Sequence, residues 1–226
     1  MRVAIAILLT LYLPLAGLMV VLSEPVCRAL AETSIAEHVS DPNEQTFLVD
    51  TALAVRDFSL GNNAAPMPAG EDYRNAITPD AIAHLLDVRV VFLASELAFF
   101  VLFLALTILM IVAVRRTKAG SRVGYLVRPL IIGGIIPLVA ALLLAIVIAV
   151  DFGAFFVWMH GIFFADGTWT FPADSLLIRS LPYKFWIASA FVWAGSMVLL
   201  CVISIAVGIL LVRLGRRAKS EAFDAR

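Results

Sequence analysis

The three histidines of this 226-residue chain, at positions 38, 84 and 160, are the side chains whose charge changes near neutral pH, and so the first candidates for moving protons. His84 and Asp87 stand three apart, on one face of any helix they share, where the carboxylate can orient the imidazole and favour its protonated form. Arg89 and Glu96 occupy a different face, and their spacing of seven lets Arg89 reach down toward an acid inside an apolar run. An ionisable group in such a run is a functional hypothesis by default. His160 sits among Phe152, Phe155, Phe156, Trp158, Phe163, Phe164, Trp169 and Phe171. Two imidazoles suit general acid–base chemistry, one taking a proton while the other supplies one. His38 lies among Glu37, Ser40, Asp41 and Asn43 and reads as a solvated surface residue. No short His-x-x-x-His spacing supports a zinc site. No Gly-x-Ser-x-Gly or glycine-rich phosphate loop supports a serine hydrolase or a nucleotide-dependent transferase.

The elements that must hold these residues are membrane helices. Hydrophobic residues make up 62% of the chain and charged ones 15%, against about 45–50% and about 25% in soluble domains. Seventeen basic residues balance seventeen acidic ones, which gives no general attraction to nucleic acid. A bilayer core needs about 20 apolar residues per helix, and four runs supply them: Val3–Leu22, Val90–Val114, Leu130–Val150 and Phe185–Val212. Arg115, Arg116, Lys118, Arg122 and Arg128 follow the second run, and Arg213, Arg216, Arg217 and Lys219 follow the fourth, so both segments are expected on the cytoplasmic side. The stretch from Ser23 to Asp87 carries eleven acidic and three basic residues, as an external segment does.

The expectation is an all-α membrane protein with both termini cytoplasmic. Its transmembrane helices cover 1–22, 88–114, 130–150 and 185–212. An extracytoplasmic cap at 23–87 and an aromatic-rich outer loop at 151–184 stand on one side. A basic loop at 115–129 and a tail at 213–226 stand on the other. The first run is too long for a signal-peptide core and reads as a retained anchor. Glu24, Pro25 and Val26 before Cys27 make no lipobox, and Cys27 and Cys201 lie at depths too different for a disulfide.

Within the cap, Val49–Leu60 reads as a helix ended by Gly61, Asn62 and Asn63, and Ala64–Gly70 as a loop. Thr78, Pro79 and Asp80 form a strong helix start, with a capping hydroxyl, a proline at the first position and an acid at the positive end of the dipole. If that helix runs unbroken into Val90, His84 stands six residues above the hydrocarbon edge, roughly 9 Å at 1.5 Å per residue. The aromatics from Phe152 to Phe171 have the density of an interfacial belt. The second span descends from the outer side and the third returns to it, so His84 and His160 share that side although 76 residues apart.

Taken together, these segments resemble one family, the bacterial lipoprotein intramolecular transacylases, which are tetraspan integral membrane proteins. His84-Leu85-Leu86-Asp87-Val88 is similar to that family's His-x-x-Asp-Val stretch before the second span. His160-Gly161-Ile162-Phe163-Phe164, Trp169-Thr170-Phe171 and Leu177-Ile178-Arg179-Ser180-Leu181-Pro182 resemble its His-x-x-Phe-Phe, Trp-x-Phe and Leu-Ile-x-x-Leu-Pro elements, in the same order. Met159 stands where a second histidine often precedes, Pro172 and Tyr183 stand where acids are usual, and the cap before Thr78 matches weakly.

The resemblance implies an acyltransferase that moves the sn-2 acyl chain of a diacylglyceryl-modified lipoprotein to the N-terminal cysteine amine, leaving a lyso-form lipoprotein. It implies His84 and His160 as the catalytic pair, with Asp87 orienting His84 and Arg89 stabilising the oxyanion or positioning a carbonyl. Phe155, Trp158, Phe163, Phe164, Trp169 and Phe171 would confine the lipid headgroup and exclude water. Both reacting groups hang from one substrate, so no metal, external acyl donor, nucleotide or other cofactor is called for. Two other readings stay open on the sequence alone: a non-catalytic membrane module whose cap binds an exported partner, and an acyltransferase or lipase acting on a different lipid. A transporter is poorly supported by four spans with one embedded acid and no paired discontinuous helices.

Overall fold

The structure, a computed structural model, describes residues 1–68, 77–117 and 122–224; of 122, 123 and 215–224 it describes the backbone alone. Among the described residues every regular element is a helix: α1 (Arg2–Leu22), α2 (Glu24–Ala36), α3 (Pro42–Ser59), α4 (Pro79–Arg116), α5 (Arg122–Val150), α6 (Phe152–Phe163), α7 (Leu176–Ser180) and α8 (Tyr183–Asp224). Helices α1, α4, α5 and α8 are long and apolar enough to cross a membrane, as the four runs required. The chain is a multi-pass membrane protein.

Several helices exceed the lengths expected from hydropathy. Helix α5 begins at Arg122, inside the stretch read as a basic loop, and α8 continues to Asp224 through the expected tail. A helix ends where its backbone pattern ends, and charged residues that leave the hydrocarbon do not interrupt it. Helix α3 begins at Pro42 rather than Val49, because Asp41 accepts from the Asn43 amide and Pro42 supplies the first helical position. Helix α2 has no strong apolar signature and was not foreseen. The end of the loop expected over Ala64–Gly70, and Lys118, lie outside the described residues.

The chain divides into two compact units. One comprises Met1–Leu18, Leu97–Ala145 and Trp193–Arg226. Its helices approach closely through small residues: a Cβ on Gly133 would stand 2.9 Å from Leu9 Cδ2, and one on Gly134 3.1 Å from the Cys201 carbonyl. Adjacent glycines thus let α5 press on α1 with one face and on α8 with another, a common way for membrane helices to gain dispersion contact. The Trp193 indole donates to the Pro14 carbonyl at 2.9 Å, and Leu9, Leu13, Ala141, Met197 and Cys201 form the enclosed centre.

The other unit comprises Met19–Glu96 and Ile146–Val192, and it contains both candidate histidines. Its core is built by helical periodicity: Cys27, Ala31 and Ile35 from α2 meet Leu48, Ala52, Val55 and Phe58 from α3. Ala81 and Leu85 from the first turns of α4 enter the same cluster, as do Leu177, Leu181 and Phe185 around α7. One apolar core therefore fixes both the start of α4 and the segment between α6 and α8. Exposed ion pairs Arg179–Glu44 and Lys184–Glu37 lie across the same elements and contribute little by themselves.

Candidate active site

His84 is placed by the start of α4. The Thr78 hydroxyl accepts from the Ala81 amide at 3.3 Å, as the sequence predicts for a capped start, and the helix runs unbroken through Val90. With Leu85 turned into the cap core, His84 faces a neighbouring direction and is itself 7% exposed. At the α3 end, Gly61 adopts φ +78°, a conformation that suits glycine, and reverses the chain. Arg89 clamps that turn: Nε donates to the Phe58 carbonyl at 2.7 Å, Nη2 to the Asn63 carbonyl at 2.8 Å, and the guanidinium lies 4.4 Å from the Phe58 ring centre. A carbonyl has two lone pairs, so Phe58, which already accepts from the Gly61 amide, can accept from Arg89 as well, and a guanidinium fork is well shaped to take two carbonyls.

His160 is placed by α6, which starts at Asp151, whose carboxylate accepts from the Ala154 amide at 2.9 Å. Beyond α6 the backbone extends at Phe164, turns through Gly167 at φ +82°, and returns Trp169 and Phe171 toward the histidines. His160 is 8% exposed.

The two imidazoles stand side by side, with ring centres 6.2 Å apart and planes inclined by 27°. Phe164 touches both, at 4.8 Å from His84 and 5.5 Å from His160. Phe171 lies 5.7 Å from His84, Trp169 4.8 Å from His160 and Phe156 3.9 Å from His160. His160 Nδ1 is 2.9 Å from the Phe156 carbonyl oxygen. A carbonyl only accepts, so Nδ1 carries the hydrogen and the neutral ring presents its lone pair at Nε2. Burial lowers the His160 pKa below the ordinary histidine value, partly offset by that bond. In contrast, His84 Nδ1 is buried with no hydrogen-bond partner, and so is the Trp169 indole nitrogen. The half-buried Trp186 and Trp193 both donate to carbonyls, which makes the half-buried Trp169, whose buried indole nitrogen has no partner, the exception. A buried polar group without a partner costs about 1–3 kcal/mol, and two of them converge on one pocket.

Several expected contacts take another form. Asp87 is exposed and makes no hydrogen bond to His84, because the His84 ring turns into the aromatic pocket while the carboxylate stays in solvent. Arg89 makes no ion pair with Glu96; its donors go to the carbonyls of Phe58 and Asn63, so it holds structure where an oxyanion role was expected. The aromatic set divides. Phe164, Trp169 and Phe171 contact the histidines, whereas Trp158 and Phe163 are more than half exposed, and Phe155 packs with Phe152 and Trp158. Phe156 stands in the aromatic run around His160 but was not among the residues expected to confine the headgroup, although its i, i+4 relation to His160 contains the signal. Trp186, 6.0 Å from Phe156, was missed as well. His38 is exposed beyond the end of α2.

The profile of the lipoprotein intramolecular transacylase family, Lit, matches residues 36–186, two thirds of the chain and both histidines. This chain belongs to the Lit family. The family consists of acyltransferases that act within a lipoprotein. No curated protein matches the chain by sequence. Among solved structures, Lit from Bacillus cereus is 15% identical, with a TM-score of 0.73 over 96% of this chain and 98% of that one. Two variants of the Bacillus cereus Lit, one with a histidine changed to arginine and one to alanine, give TM-scores of 0.67 and 0.66 at 14% identity. Both cover 96% of this chain, and 92% and 94% of theirs. At such identity the likeness establishes the fold, which is the tetraspan Lit architecture expected from the sequence.

Proposed function

We propose that this protein moves the sn-2 acyl chain of a diacylglyceryl-modified lipoprotein to the amine of the same N-terminal cysteine, with His84 and His160 as the acid–base pair. The observation that carries this reading is the burial of two imidazoles side by side in an aromatic pocket, brought from positions 76 residues apart. The pocket lies on the extracytoplasmic side of the bacterial cytoplasmic membrane, with both termini inside, by the distribution of basic residues. Diacylglyceryl lipoproteins and membrane lipids are its partners there.

An α-amine has a pKa of roughly 7.7–8.0, so near neutrality the substrate arrives largely as an ammonium. His84 takes its first proton and frees the nitrogen lone pair. The amine then attacks the ester carbonyl carbon, a C–N bond forms, and the carbonyl electron pair moves to oxygen. His160 Nε2 accepts the second proton from nitrogen, its tautomer already set by the Phe156 carbonyl. The C–O bond to glycerol breaks, and the alkoxide takes the proton stored on His84. The balance is an amide, a free glycerol hydroxyl and one proton released from His160 to solvent. Burial helps that release by disfavouring the charged ring.

The Trp169 indole N–H is the donor suited to the oxygen that gains charge, since it is buried, unpartnered and beside His160. Phe156, Phe164 and Phe171 exclude the water that would otherwise hydrolyse the ester. Amine and ester belong to one molecule, so folding the headgroup until they meet supplies a high effective molarity. Trp158 and Phe163, on the exposed side of α6, serve as interfacial anchors, with Phe155 packed beside them. Arg89 serves by holding α4 against the Gly61 turn.

Mass spectrometry of a lipoprotein N-terminus, from cells that make diacylglyceryl lipoprotein with and without this protein, tests the reading. An N-acylated, S-monoacylglyceryl cysteine at unchanged total mass is expected. An N-acyl product of increased mass would mean an external acyl donor, and persistence of the diacyl form would refute the substrate.

A further inference from the structure

We infer that a cleft between α1 and α5 binds one anionic phospholipid of the surrounding bilayer. The cleft has a volume of about 500 Å³, within the usual range of small-molecule sites, and lies wholly within the unit that excludes the histidine pocket. Its walls are apolar: Ile7 and Leu11 on α1 and Ile132 and Ile136 on α5, each 48–53% exposed. Its floor is rigid, because Gly133 lets the two helices meet at Leu9 and Ala6, and Pro129 is fully buried beside it.

At one end stand Arg2 and Arg128, both exposed, and among the described residues neither pairs with a carboxylate. The Arg2 guanidinium carbon stands 4.3 Å from the centre of the Tyr125 ring, a cation–π contact that holds it at the cleft while no carboxylate among the described residues takes its donors. Two guanidinium forks match the oxygens of a phosphate diester. Basic pockets between membrane helices are where anionic headgroups settle, and the apolar slot beneath suits the attached acyl chain. A soluble phosphate would gain nothing from the four apolar walls, and a zwitterionic lipid would bring its own cation to the arginines. This combination selects a lipid with net negative charge.

The test is native mass spectrometry of the purified full chain in an uncharged detergent, titrated with phosphatidylglycerol and phosphatidylcholine of identical acyl chains. Retention of one phosphatidylglycerol with about tenfold preference is expected. Arg2→Gln with Arg128→Gln should bring the two lipids to parity, and Ile132→Trp, which fills the slot but leaves the charges, should weaken phosphatidylglycerol about as much. Glycerol phosphate should not compete. Equal retention of both lipids, a preference that survives the double arginine change, or displacement by glycerol phosphate would each overturn the assignment.

Discussion

His160 has one ring nitrogen tied to the Phe156 carbonyl, whereas His84, 6.2 Å away in the same pocket, has a buried ring nitrogen tied to nothing. The difference follows from the elements that carry them. His160 lies late in α6 and turns Nδ1 back along its own helix to the carbonyl four residues earlier, which sets the tautomer. His84, in the second turn of α4, keeps its ring among Phe164 and Phe171 instead, and its Nδ1 meets no acceptor. One imidazole is preorganised and the other waits for a partner. Two acid–base groups with separate duties need such unequal surroundings, since identical neighbours would give them identical proton affinities.

Removing either ring should break the contrast most severely. His84→Ala and His160→Ala are each expected to lower lyso-lipoprotein formation by at least about 10³-fold, measured by lipoprotein mass spectrometry with the enzyme's membrane level checked by immunoblot. Trp169→Phe keeps the ring and deletes the unpartnered N–H; a fall in kcat of about 10- to 100-fold with little change in KM is predicted, since the bond strengthens only as charge develops.

The pH profile sharpens the comparison. His160 must be neutral to accept a proton, and burial lowers its pKa, so kcat should rise with pH to a plateau, with a midpoint below 6.5. A midpoint well above that value would assign the limb to a different group. Arg89→Ala should act on stability, lowering it by about 2 kcal/mol through the lost charged hydrogen bonds to Phe58 and Asn63, readable as a Tm decrease of several degrees. His38→Ala, at an exposed position, should change neither activity nor Tm.

Much of this arrangement is legible in the amino acids because a few local rules fix it. The four spans follow from uninterrupted apolar length, the start of α4 from Thr78, Pro79 and Asp80, and the end of α3 from Gly61. The two histidines were readable as candidates expected on one side of the membrane, but their adjacency was not. That depends on Leu85, Leu177 and Leu181 sharing one core, a tertiary fact with no local signature. Asp87 illustrates the limit of helical spacing: a pair three apart shares a face, yet the histidine ring bends into the pocket and the acid does not follow. Arg89 illustrates another, because backbone carbonyls at the end of α3 and in the turn beyond it attract a guanidinium as well as a carboxylate does. The split of the aromatics into Phe164, Trp169 and Phe171 against Trp158 and Phe163 depends on which way α6 faces, and composition alone does not carry that.

The most direct test of the account is a crossover measurement with purified enzyme and two diacylglyceryl lipopeptides of different sequence, only one carrying a deuterated sn-2 acyl chain. The account predicts that the label appears as an N-acyl group solely on the peptide that carried it, and that His160→Ala abolishes the transfer. Deuterated acyl chain on the amine of the unlabelled peptide would contradict it, because the acyl group would then have left its own molecule.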